Sequence, residues 1–233
     1  MTAIETINAR KAIRVMQPDK PVPMETIREL LEIAGKASSW SNSQPWEAYV
    51  LTGEPLEKLK KFQMAEFKDV ATKGVPAPRD DIHSPGYDDW KDTPRCVECM
   101  AEWKQHRLEV CAAEYGIDAA KYGADGFFAL MNMNFAPAWV ILCVPKSLTH
   151  YSYLDLGSFG TTFMLAAKER GIDTMPAFSP CYFADNLRKC IDIPEDMAAV
   201  YGIGVGYADP DNYANKISTN RLPVDTYTHF FGF

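Results

Sequence analysis

The order of apolar and polar positions divides the chain into a small set of elements. Thr2 followed by Glu5 is a capping-box pattern, and Ile4 and Ile7 at helical spacing extend it into a short helix reaching about Ala12. From Met24 to about Ala37, Ile27, Leu30, Leu31 and Ala34 recur at i, i+3, i+4 and i+7 behind a Pro21/Pro23 entry, which predicts a second helix with one buried face. "EAYVLTG" (47–53) has the β-branched and aromatic content of a strand, and "PLEKLKKFQMAEFKDV", opened by Pro55, reads as a helix. "AWVILCV" (138–144) is nearly continuous apolar, the pattern of a strand covered on both faces. "YLDLGSFGTTFMLAAKERG" carries a long apolar stripe and stops at Gly171, a C-terminal cap, and "AAVYGIGVGY" (198–207) predicts another buried strand.

The pattern changes between Gly74 and about Phe128. Pro76, Pro78, Pro85 and Pro94 interrupt it, and one helix is predicted, from about Arg95 to Tyr115. No second set of strands accompanies this stretch, so residues 1–233 are expected to form a single domain with an inserted excursion at about 74–128. Helices mixed with a few well-separated strands give an α+β fold class.

Charge narrows the function classes. With 24 basic against 31 acidic residues the net charge is −7, which argues against nucleic acid or an anionic membrane as partner. No stretch approaches the ~20 apolar residues of a membrane span, and the first residues lack the apolar core of a secretory signal. A cytoplasmic protein is expected, with Cys96, Cys99, Cys111, Cys143, Cys181 and Cys190 as thiols.

Most familiar motifs fail. "GIGVG" (202–206) lacks the spacing of G-x-G-x-x-G and no helix follows it, so its glycines are read as a close backbone approach. There is no P-loop, no G-x-S-x-G and no H-E-x-x-H. Cys96-x-x-Cys99 with His106 and Cys111 has the residue types of a zinc site, but a single C-x-x-C is a weak signal, and no metal is expected.

Four stretches remain: "RKAIR" (10–14), "SSWSNSQPW" (38–46), "MPAFSP" (175–180, read as a turn after the long helix) and "STNRLP" (218–223). Each alone is ordinary. Together, three or four guanidinium and ammonium groups suffice to hold a phosphate, while Ser, Asn and Gln satisfy the edge of a polar heterocycle whose flat face lies beside indoles.

On these motifs the chain resembles the FMN-dependent nitroreductase family. The family's arginine-rich helix end stands here as "RKAIR", its A-P-S-x-x-N-x-Q-P-W as "SSWSNSQPW", and its closing Arg-x-Pro as "RLP", with the long helix ending "LAAKERGIDT" between them. The resemblance covers nearly everything except residues 74–128. It implies a central, mostly antiparallel sheet flanked by helices in an intertwined homodimer. It also implies FMN as cofactor, NADPH or NADH as electron donor, and two-electron ping-pong reduction of nitroaromatic, quinone or similar flat aromatic acceptors.

Carried over position by position, Arg10, Lys11, Ala12, Arg14 and Arg221 match the phosphate and ribityl grip. Ser38, Ser39, Asn42 and Gln44 match flavin-edging positions supplied by the partner subunit. Phe178 and Ser179 match the turn whose backbone N–H faces flavin N5, the Ser179 N–H being the nearest match. Ala12 stands where the family has a hydroxyl, Ser38 where it often has proline, and Thr219 where a second basic residue is common, for which Lys11 or Lys216 would compensate. No side chain is expected to be an indispensable nucleophile. Trp40, Phe178 and a ring from the excursion, Phe128 or else Trp90, Trp103 or Phe127, are expected to cover the flavin and select flat substrates, although packing in a dimer interface accounts for such rings equally well. Ring dehydrogenation, reductive removal of a substituent, or a flavin-binding sensor without turnover remain alternatives on the same fold.

Overall fold

The computed structural model describes residues 1–73, 80–82 and 87–232. The breaks expected at Pro76, Pro78 and Pro85 lie outside these residues. Seven helices are described: α1 (Ala3–Ala9), α2 (Met24–Ala34), α3 (Gly53–Lys73), α4 (Pro94–Tyr115), α5 (Ala119–Met131), α6 (His150–Glu169) and α7 (Ala184–Arg188). Four strands, β1 (Glu47–Thr52), β2 (Ala138–Pro145), β3 (Asp173–Ala177) and β4 (Met197–Gly206), form one sheet in the order β1-β2-β4-β3, every pairing antiparallel.

The sheet is covered on both faces, and β2 shows why its sequence is apolar without alternation. Ala138, Val140, Leu142 and Val144 enter one core with Ile27, Leu30 and Ala34 of α2 and Leu156, Phe159 and Phe163 of α6. Trp139, Ile141 and Cys143 point the other way, into a core with Ile13, Leu56, Leu59 and Leu187. Gly202 and Gly204 of β4 clear room for the Trp139 ring, which lies opposite Gly204 in register: a Cβ on either would meet it at 2.9 and 3.1 Å. "GIGVG" is therefore a packing surface for an indole.

Gly160 has a similar role on α6. A Cβ there would stand 1.8 Å from the hydroxyl of Tyr201, a phenol that burial pushes up to about 12. Gly160→Ala is expected to cost about 1–3 kcal/mol through overpacking. Thermal melts check it, with Gly160→Ala/Tyr201→Phe recovering part of the loss.

Several elements differ from the pattern-based expectation. The Thr2/Glu5 capping box is present, with Glu5 N–H donating to Thr2 and Thr2 N–H to Glu5, but α1 ends at Ala9 and Arg10 is already extended. β-Branched Ile13 then seats in the core while Ala12 bridges Thr174 on the free edge of β3. α2 stops three residues early, at Ala34 with Gly35 as its cap. α5, α7 and β3 were not foreseen. The "MPAFSP" stretch begins inside β3, where Pro176 is tolerated because the strand is at the sheet edge. The expected cap at Gly171 is in place at φ +71°.

Candidate functional site

The segment after α1 runs along the edge of β3, tied by Ile13 N–H to the Thr174 carbonyl at 3.0 Å. Ile13 and Met16 anchor it in the core, leaving Arg10, Lys11, Ala12 and Arg14 half-buried on the wall of a cavity of about 140 Å³. Arg221 and Thr219 close it from the C-terminal segment, and Trp103 and Arg107 of α4 and Tyr122 of α5 from the other side. Four widely separated stretches thus converge, and none of the described residues lining the cavity is Asp or Glu.

Two asparagines that the sequence reading passed over hold this arrangement. Asn215, buried at 6% exposure, accepts from the backbone N–H of Arg14 (2.8 Å) and Val15 (3.1 Å) and donates to the carbonyls of Val15 (2.6 Å) and Asp209 (3.0 Å). Its own carbonyl accepts from Lys11 Nζ. Asn134 donates to the Arg14 carbonyl at 2.7 Å, and its carbonyl accepts from Met16 N–H at 3.0 Å. Met133, Asn134 and Phe135 form a short left-handed turn with φ of 49, 58 and 55°, a costly conformation for non-glycine residues. Trp139 Nε1–H caps the Met133 carbonyl at 3.2 Å. The only signal in the sequence was two asparagines, one in the mostly apolar "MNMNFAP" and one in the polar "NYANK", which is too common to single out.

The polar loop 38–46 is built separately. Ser41, Asn42 and Gln44 have φ of 48, 59 and 47°, a second concentration of left-handed backbone. Asp155 on α6 explains how it persists: both carboxylate oxygens accept from Trp40 N–H at 3.2 Å. Ser39 accepts from Gln44 N–H at 3.1 Å, and Ser38 faces Ser158 of α6 at 3.5 Å. Ser38, Trp40, Asn42 and Gln44 are exposed, Trp40 at 65%, and none of the loop residues lines the arginine-walled cavity. A single protomer therefore does not bring the two halves of the expected site together.

Phe178 and Ser179, also outside that cavity, follow β3 in a 3₁₀ turn. Gln63 of α3, 3% exposed, donates to the carbonyls of Ser179 (3.4 Å) and Pro180 (3.1 Å). Its Oε1 and the Ser179 hydroxyl are buried without a partner. Phe127 and Phe128 on α5 are exposed at 56 and 62%, and the Phe128 ring lies 5.6 Å from Phe135. Trp90 sits in the short turn before α4. Cys96, Cys99 and Cys111 all sit on α4 as free thiols, with Cys111 buried, and no group of three or more His, Cys, Asp or Glu among the described residues is placed to hold a metal ion.

The fold is an α+β sheet with helices on both faces and an arginine cluster beside its edge strand, and the chain belongs to the nitroreductase family, whose model matches residues 7–207. Among known proteins it is similar to the 4-nitrobenzoate reductase of Pseudomonas putida, 31% identical over 97% of this chain and 94% of that one, and to the 4-nitrobenzoate reductase of Nocardioides sp., 30% identical over 99% and 92%. The solved FMN-dependent nitroreductase NfnB of Mycobacterium smegmatis, in complex with NADPH, superposes with a TM-score of 0.78 at 26% identity, covering 98% of each chain. No described helix is long and apolar enough to cross a membrane.

Proposed function

We propose that the protein is an FMN-dependent NAD(P)H oxidoreductase that reduces nitroaromatic, quinone or similar flat acceptors, aromatic nitro acids among them. One observation carries this within the family: Arg10, Lys11, Arg14 and Arg221 converge on a small cavity whose described lining has no Asp or Glu, in a chain of net charge −7. Such a cluster is stable next to a dianion and strained without one. The unpartnered Gln63 Oε1 and Ser179 hydroxyl are spare polar atoms of the kind a heterocycle edge satisfies, so the residues present fit FMN. Ala12 provides no side-chain donor there.

When bound, FMN would accept a hydride from NADPH or NADH and pass two electrons to the acceptor. The chain's own residues supply the rest. Arg10, Arg14 and Arg221 would neutralise the phosphate. Gln63, by gripping the Ser179 and Pro180 carbonyls, would fix the turn that carries Phe178 and the Ser179 N–H against the flavin. Ser38, Ser39, Asn42 and Gln44 would edge it from the second subunit.

The homodimer this needs is supported by α6, which exposes Tyr151, Leu154, Gly157 and Thr161 and whose Asp155 holds the Trp40 loop. Ile4 and Ile7 of α1 and Phe231, exposed at 86%, add apolar surface. Light scattering is expected to give the mass of two chains, and a monomer would sink the shared site. We take residues 74–128 as an excursion of a single domain, and a cytoplasmic location follows from the nicotinamide donor.

The deciding experiment is the visible spectrum of protein with FMN, followed anaerobically as NADPH or NADH is added. Immediate bleaching supports the reading, whereas flavin that stays oxidised with both donors would point to a sensor. Trp40→Ala is expected to change relative rates across acceptors of one and two rings by roughly 2- to 10-fold, the worth of one aromatic contact. Steady-state rates on a ring-size series check it, and unchanged ratios would remove Trp40 from the selecting wall.

A further inference from the structure

The phosphate end of the site contains one cation more than the sequence motifs supply. Arg107 lies mid-way along α4, in the excursion, and lines the same cavity as Arg10, Arg14 and Arg221. Its guanidinium carbon stands 4.1 Å from the centre of the Trp103 ring, Nε donates to the Trp103 carbonyl at 3.3 Å, and one terminal nitrogen donates to the Tyr122 hydroxyl at 3.1 Å. Arg14 lies over the same indole, 5.9 Å from its centre. Two guanidinium groups therefore approach one ring, and none of the described residues lining the cavity is Asp or Glu. Stacking on an indole lowers the cost of holding one cation but does nothing for the repulsion between two, which an anion between them relieves.

The other candidates for this charge are occupied elsewhere. Lys11 Nζ is bound to the Asn215 carbonyl. Lys216 is exposed, with its ammonium 6.0 Å from the Tyr115 ring and outside the cavity lining. Thr219, where a basic residue would sit, is a neutral acceptor for Arg221. Arg107 uses two of five N–H donors on Trp103 and Tyr122, leaving others to meet an oxyanion. The cavity, about 140 Å³, has room for a phosphate-sized group and not for a three-ring system.

We propose that Arg107 is a phosphate ligand of the flavin, so that the excursion helix α4 supplies the cation absent at Thr219 and docks over the cofactor through it. This deepens the FMN reading and rests on it. The contact distinguishes FMN from riboflavin, which shares the ring and ribityl chain but lacks the phosphate.

The test is a fluorescence titration of the full chain with each flavin. Arg107→Gln is expected to weaken FMN by about 10-fold or more, the scale of a lost charge-assisted contact, with riboflavin changed less than about twofold. Arg107→Lys, which keeps the charge, should stay close to wild type for FMN. Thr219→Lys added to Arg107→Gln should recover most of the loss. Unchanged FMN affinity in Arg107→Gln, or equal losses for both flavins, would overturn the assignment. Should that chain not fold, Arg107→Met, which keeps the apolar stem over Trp103, is read by the same two outcomes. A wild-type chain that binds no FMN would overturn the cofactor reading itself, a failure distinct from a wild type that binds FMN without needing Arg107.

Discussion

Replacing Asn215 with Ala is expected to cost about 2–4 kcal/mol of stability and to weaken FMN binding by roughly 10- to 100-fold, although Asn215 is not placed as a flavin ligand. Its amide closes four hydrogen bonds, to the N–H groups of Arg14 and Val15 and the carbonyls of Val15 and Asp209. Alanine takes this partner from the N–H groups of Arg14 and Val15 and from the Asp209 carbonyl, each carrying a desolvation penalty of about 1–3 kcal/mol less whatever water recovers, while the Val15 carbonyl keeps the Asp209 N–H at 3.0 Å. The larger consequence is geometric. Arg14 is positioned from both sides of its peptide, its N–H by Asn215 and its carbonyl by Asn134. Losing one clamp frees the segment between Ala12 and Met16, and the guanidinium no longer arrives preorganised in the cavity. Thermal melts and a flavin titration check the two halves together. A variant that loses stability but keeps its FMN affinity within twofold would show that Arg14 finds the phosphate without the clamp.

How far the sequence could be read follows from which interactions leave a local mark. α2, α6, β1, β2 and β4 were legible because one face or both are apolar over several residues, and Arg10, Arg14 and Arg221, which the structure brings to one cavity, were picked out by the motifs they stand in. β3 was illegible: five residues with a proline, stabilised by pairing with β4 on one side and by the Ala12 bridge on the other, contacts far away in the chain. α5 was hidden by Gly123 and Gly126 and by the abrupt change in composition before it. The clamps at Asn134 and Asn215 were invisible for a related reason. Asn215 acts on residues 200 positions away, and nothing in "NYANK" distinguishes it from a turn residue. Arg107 was not singled out in the sequence, because only the approach of α4 to residues 10–14 gives it a role.

Asp81→Ala carries the largest stability cost, about 3–5 kcal/mol, because it leaves the largely buried Arg188 with only the exposed Glu195, 3.7 Å from its Nε, as a close ion-pair partner among the described residues. Arg188, with its side chain 11% exposed, grips both Asp81 carboxylate oxygens at 3.1 and 2.8 Å, and Lys146 approaches at 3.3 Å. The same carboxylate accepts from Ala199 N–H at 3.0 Å, beside the bulge where the β2–β4 register shifts between Leu142 and Cys143. Asp81 thus pins part of the excursion to the irregular point of the sheet. Burial raises its carboxyl, but the Arg188 hydrogen bonds, the Ala199 N–H and the Arg188 and Lys146 charges outweigh that and leave it below the usual carboxylate value. A carboxyl lowered in the folded state contributes stability that is complete above its unfolded value, about 3.9, and is lost as pH falls through the folded value. The gap in urea midpoint between wild type and Asp81→Asn should therefore be wide and constant from pH 7 to about 5 and narrow below pH 4. A gap that stays constant into acid would mean that the Asp81 contribution is packing and hydrogen bonding independent of its charge.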